Sequence, residues 1–140
     1  MRSLNAYISF RGNAREAMNF YRDVLGGTLD VLTFGDFPQM PHDPADDGLI
    51  MHSYLRTDDG LVLMASDTPS SMDYAAPAGV SLALNGAAED DAALRRCWDA
   101  LADGGTVTMP LDAAMWGGTF GMLTDRFGIA WLFSIDAAGE

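Results

Sequence analysis

The sequence predicts an α+β protein of two tandem βαβββ units, and three observations lead there. Two amphipathic helical stretches are each preceded by a short apolar run. Each helix ends in Gly-Gly-Thr and a β-branched run, Gly26-Gly27-Thr28 in one half and Gly104-Gly105-Thr106 in the other. In both halves two further apolar runs follow, joined by a glycine turn. The repeat is about 70 residues, a duplicated supersecondary unit and not a solenoid.

In chain order, residues 6–10 alternate as a first strand, and a helix follows over residues 14–25. Asn13 and Glu16 have the spacing of an N-cap and its third-position acid. Ala14, Ala17, Met18, Tyr21 and Leu25 form its apolar face, and Gly26 supplies a left-handed stop. A strand begins at Thr28; two more, 52–55 and 61–65, flank an Asp59-Gly60 turn, a strong hairpin signal. The second half repeats this with a strand at 80–84 and a helix at 88–102 whose buried stripe is Ala93, Leu94, Cys97, Trp98 and Leu101. Strands follow from Thr106, at 119–124 and at 129–133, the last two around Phe127-Gly128. Residues 66–79 are rich in turn formers and read as a linker. The expected organisation is one domain over 1–140, with unit one at about 1–66, the linker at about 67–79 and unit two at about 80–136. Two longer loops remain, 37–48 with three prolines and 110–118 carrying Met115-Trp116.

Charge and composition exclude several functions. All eight basic residues are scattered arginines against twenty acids, a net charge of −12, which disfavours nucleic acid and anionic membranes as partners. Without lysine there is no Schiff-base chemistry and no P-loop. One cysteine, Cys97, cannot make an intrachain disulfide, and with two histidines it cannot build a finger-type zinc site. No run reaches the length of a membrane span and the opening residues lack a signal-peptide core, so a cytoplasmic location is expected.

A narrower pattern lies in Leu4-Asn5-Ala6-Tyr7-Ile8-Ser9-Phe10 ahead of Gly12-Asn13-Ala14-Arg15-Glu16-Ala17, and in Ile50-Met51-His52. Leu63-Met64-Ala65-Ser66-Asp67, Trp116-Gly117 and the run from Phe120 to Trp131 complete it. Together with the doubled βαβββ order, these residues resemble the vicinal-oxygen-chelate superfamily of glyoxalases, bleomycin-resistance proteins and extradiol dioxygenases, and within it the PhnB-like branch. The resemblance implies curled mixed sheets forming a half-open barrel with the helices outside, a cavity on the inner face, and a homodimer. It also implies four metal-ligand positions, one each from the first and last strand of each unit, falling here on Ala6, Met64, Val80 and Leu132. None of these side chains holds a hard divalent ion. A one-residue slip to Asn5, Tyr7, Leu63, Ala65, Ser81, Trp131 or Phe133 supplies no His/Glu set either. The expectation is therefore no metal and no cofactor.

The candidate ligand-binding residues are Phe10, Met64, Phe120, Met122 and Leu132 as an apolar wall, His52 and Tyr54 as its polar end, and Trp116 at the rim. His52 alternates with Tyr54 and Arg56 and is the one candidate for a general base. His42 reads as solvated, Asp43, Asp46 and Asp47 as a charged solvated loop without calcium-loop spacing, and Cys97 as packing. The function expected is binding of a small, partly apolar molecule. The alternatives are a metal-dependent lyase or dioxygenase, an enzyme using His52 as base, or a purely dimeric scaffold.

Overall fold

The computed structural model describes residues 2–138, and the chain divides into two compact units, Met1–Pro77 and Ala78–Glu140. In the first, β1 (Ala6–Phe10), α1 (Ala14–Leu25), β2 (Thr28–Thr33), β3 (Ile50–Arg56) and β4 (Val62–Asp67) follow in order. In the second, β5 (Leu82–Gly86), α2 (Asp91–Ala102), β6 (Thr106–Ala113), β7 (Thr119–Thr124) and β8 (Ala130–Ile135) repeat the sequence. Each unit has its own open four-stranded mixed sheet, ordered β1-β4-β3-β2 and β5-β8-β7-β6, with the first and last strands parallel and the rest antiparallel. The α+β, tandem βαβββ reading holds.

Strand alternation gives each sheet one face toward its helix. In unit one, Ile8, Phe10, Ser53, Leu55, Leu63 and Ala65 are buried on the face that meets Ala14, Ala17, Met18 and Tyr21 of α1. Ser53 stays satisfied there by donating to the Ala65 carbonyl at 2.7 Å. In unit two, Leu84, Leu123, Trp131, Phe133 and Ile135 are buried with Leu94, Trp98 and Leu101 of α2, and Trp98 meets Phe133 edge-on at 5.3 Å between ring centroids. Gly121 of β7 makes room for this packing: a Cβ there would stand 2.8 Å from both the Trp98 ring and the Leu111 backbone.

Several local expectations are corrected. Asn13 makes no side-chain cap; the α1 N-terminus is held by buried Asp67, whose Oδ1 accepts from the N–H groups of Gly12 (2.8 Å) and Ala14 (3.0 Å) while Oδ2 accepts from Ile50 (2.9 Å). Asp67 is thus the end of β4 and not linker. Gly26 has the positive φ foreseen, but its ψ of −173° is extended and not left-handed helical. Ala93 is exposed, and the second helical run opens with a 3-10 turn over Ala88–Asp90. The strand placed at 80–84 starts two residues later, leaving Val80 outside it and 76% exposed. The start of the 110–118 loop is strand: β6 runs to Ala113, and Pro110 is accommodated because β6 is an edge strand whose register shifts between Met109 and Asp112. Among the described residues no helix is long and apolar enough to cross a membrane.

Candidate functional site

The face of the first sheet turned away from α1 is the candidate surface in unit one. Backbone register places Tyr7, Met64, Tyr54 and Asp30 side by side across its four strands, one residue out of phase with the buried positions. One row along, Ser9 pairs with Ser66, and His52 pairs with Leu32. Tyr7 reaches diagonally to His52: its hydroxyl lies 3.1 Å from His52 Nδ1, and the two rings stack at 5.7 Å and 21°. His52, Tyr54 and Met64 are half-buried and Tyr7 is 48% exposed, so all four can meet a ligand.

The second sheet presents an equivalent but greasier face. Ala83, Leu132, Met122 and Met109 form the row that corresponds to Tyr7–Met64–Tyr54–Asp30, and Asn85, Ser134, Phe120 and Asp112 form the next. Trp116, in the β6–β7 turn and 73% exposed, stands edge-on to Phe120 at 5.4 Å. It borders a groove of about 730 Å³ with Gly117, Ser134, Asp136 and the turn at residues 87–89. Trp116, Phe120, Met122 and Leu132 therefore share one surface, as His52, Tyr54 and Met64 share another.

Phe10 belongs to neither surface. It is 2% exposed and pairs with Asp67 on the helix side of β1, so its assignment to the cavity wall is corrected: the alternation of β1 sends Ile8 and Phe10 inward and Tyr7 and Ser9 outward. Two of the four inferred ligand positions move for related reasons. Ala6 shares the helix-side register of Leu63, and Val80 precedes its strand, so the outward residues beside Met64 and Leu132 are Tyr7 and Ala83. Those four side chains still do not fit a metal: a thioether and two hydrocarbons donate nothing to a hard ion, and the one phenol is engaged with His52. Among the described residues no group of three or more His, Cys, Asp or Glu side chains converges on a cation position.

The acidic loop between β2 and β3 is more ordered than its composition suggests. His42 is not solvated: its side chain is 7% exposed, with Nδ1 and Nε2 each 2.6 Å from an acceptor, the Met40 carbonyl and the Asp47 carboxylate, and its ring lies beside Phe34. The Asp47 carboxylate, then the Met40 carbonyl, raises the His42 pKa above its ordinary value. Asp46 is likewise buried and not solvated, accepting from both the hydroxyl (2.7 Å) and the N–H (3.0 Å) of Ser70, which lowers its pKa. Asp43 caps the short turn by accepting from the Ala45 N–H. Cys97 is half-buried on α2.

Sequence reasoning missed Tyr7, Ser9, Ser66, Ala83 and Asn85 as surface-forming residues. The signal was present for Tyr7 and Ser9, since polar and apolar residues alternate strictly through Ala6-Tyr7-Ile8-Ser9-Phe10.

Comparison with known proteins agrees with this fold. The curated protein YjdN of Escherichia coli (strain K12) is 29% identical over 142 residues, covering 94% of both chains. Protein PA1353 from Pseudomonas aeruginosa has a solved structure that is 40% identical, with a TM-score of 0.86 over 98% of this chain and 99% of that one. The PhnB protein from Bacillus cereus, at 22% identity, shares the fold with a TM-score of 0.70 over 96% and 99% of the two chains. The sequence profile of the Glyoxalase/Bleomycin resistance protein/Dioxygenase superfamily matches residues 3–133, and the chain belongs to that superfamily.

Proposed function

We propose that this protein binds a small, partly apolar molecule on the open sheet faces, through side chains alone and without a metal. The observation that carries the reading is the placement of half-buried apolar and aromatic side chains outside the helix-packed cores: Met64 and Tyr54 in one unit, and Met122, Leu132 and Phe120, the last beside Trp116, in the other. Such surfaces with a few polar groups at one end suit small ligands. Each apolar side chain covered contributes roughly 1.5–3 kcal/mol before ordering costs, so micromolar affinity is expected. Of the catalytic alternatives, a base role for His52 draws support from its contact with Tyr7. The metal-dependent one finds no donor set among the described residues.

The same reading includes a homodimer. Edge strand β6 is exposed along most of its length and carries Val107 and Met109, which a second copy would cover. Native mass spectrometry, with a crystal structure of protein purified without added ligand, tests the binding reading. A discrete organic molecule on either open face supports it; a metal held by three or more protein side chains overturns it.

A further inference from the structure

The hydrogen bond between Tyr7 and His52 specifies more than a polar edge. We propose that this pair is a recognition site for a ligand carbonyl oxygen, an inference that rests on the binding function proposed above and names one feature of its ligand. Two arrangements satisfy the 3.1 Å contact between the Tyr7 hydroxyl and His52 Nδ1. If Nδ1 accepts the hydroxyl proton, the neutral ring carries its own proton on Nε2, which makes no hydrogen bond among the described residues. If Nδ1–H donates to the phenol oxygen, the Tyr7 proton is the one left over. Either way the pair keeps one free donor, on His52 Nε2 or on the Tyr7 hydroxyl, beside rings that stack at 5.7 Å on the open face.

The surroundings select a neutral acceptor. Among the residues of β1 to β4 the charged groups on this face are Asp30, opposite Tyr54, and Arg56, opposite Thr28 at the far end of β3. Arg56 is four residues from His52, about 13 Å along a strand, too far to share a carboxylate with it. The free donor of the pair, beside Met64 and Tyr54 and with no cation next to it in the strand register, fits a carbonyl attached to an apolar or aromatic body.

Acetophenone and ethylbenzene, near-isosteres with and without the carbonyl, are suitable probes. Ring-nitrogen NMR of the full chain, which has two histidines, reports on His52 directly, with His52→Gln providing the assignment. Acetophenone should shift the His52 nitrogens saturably and bind about 3–10-fold more tightly than ethylbenzene, the worth of one net hydrogen bond. Tyr7→Phe, which keeps the stacked ring and whose far-UV spectrum should be that of the parent, should abolish most of that preference where the Tyr7 proton is the free donor, and His52→Gln should do so where the free donor is Nε2–H, so at least one of the two variants loses it. Equal binding of the two compounds, or a preference unchanged in Tyr7→Phe and His52→Gln, overturns this inference and leaves the binding function standing. Failure of both compounds to bind overturns the two together.

Discussion

Asp67→Ala is the substitution with the largest calculable consequence. One carboxylate, 3% exposed, accepts three backbone N–H bonds and so joins the end of β4 to the start of α1 and the start of β3. Removing it leaves the Ala14 and Ile50 N–H groups buried without acceptors, while Gly12 is exposed and regains water. At about 1–3 kcal/mol for each orphaned donor, the loss is roughly 2–6 kcal/mol. Against a total stability of about 5–15 kcal/mol, that is a large fraction. Asp67→Asn retains one oxygen but turns an amide donor toward another donor, so it should fall between Ala and the parent. Asn13→Ala, whose side chain makes no cap bond, should stay within about 0.5 kcal/mol. Urea unfolding followed by far-UV circular dichroism measures all three. An Asp67→Ala midpoint matching the parent, or an Asn13→Ala loss of about 1 kcal/mol or more, would refute the assignment of the cap to Asp67.

Four further outcomes are expected. Because the Asp47 carboxylate and the Met40 carbonyl raise the folded-state pKa of His42, its contribution is full below about 6.5 and lost as pH rises through the folded value. Amide exchange at Gly35 and Leu49, whose N–H bonds close this loop, should therefore quicken as pH rises beyond the intrinsic rate increase, and His42→Gln should remove that excess. Leu132→Glu places a carboxylate on a half-buried outward position, so it should spare the fold but weaken apolar ligands at least tenfold, read from Trp116 fluorescence. Gly121→Ala should destabilise unit two by about 1–3 kcal/mol in thermal melts, because its methyl meets Trp98. Light scattering at micromolar concentration should give twice the 15.0 kDa chain mass, and replacing Val107 and Met109 with Asp should return it to that mass.

The fold was legible because duplication doubles every signal: an element ambiguous in one half is clear in the other. The β7 span of Thr119–Thr124 and the α1 span of Ala14–Leu25 match the periodicity to the residue. Two positions differ from the sequence expectation for separate physical reasons. Val80 follows the linker, where no periodicity holds register, and β5 starts two residues beyond it, at Leu82, which leaves it outside the sheet. Hydrophobicity alone does not orient Phe10, because residues on both faces of a sheet can be apolar and only its parity with Ile8 shows which face it takes. The Asp67 cap and the Asp46–Ser70 tie join residues 53 and 24 positions apart, contacts that local pattern does not encode. The Tyr7–His52 contact, across 45 residues and a parallel pairing, is of the same kind.

The central claim, that the outward sheet faces and not the helix-packed cores receive a ligand, is tested most directly by the methionine methyls. The chain has nine, including Met64 and Met122 on open faces and Met18 fully buried on α1. On titration with acetophenone, ¹³C-methyl NMR should show saturable shifts at Met64 or Met122 with Met18 unmoved. Shifts confined to Met18, or to the exposed Met40 and Met72, or no saturable shift at millimolar acetophenone, would contradict it.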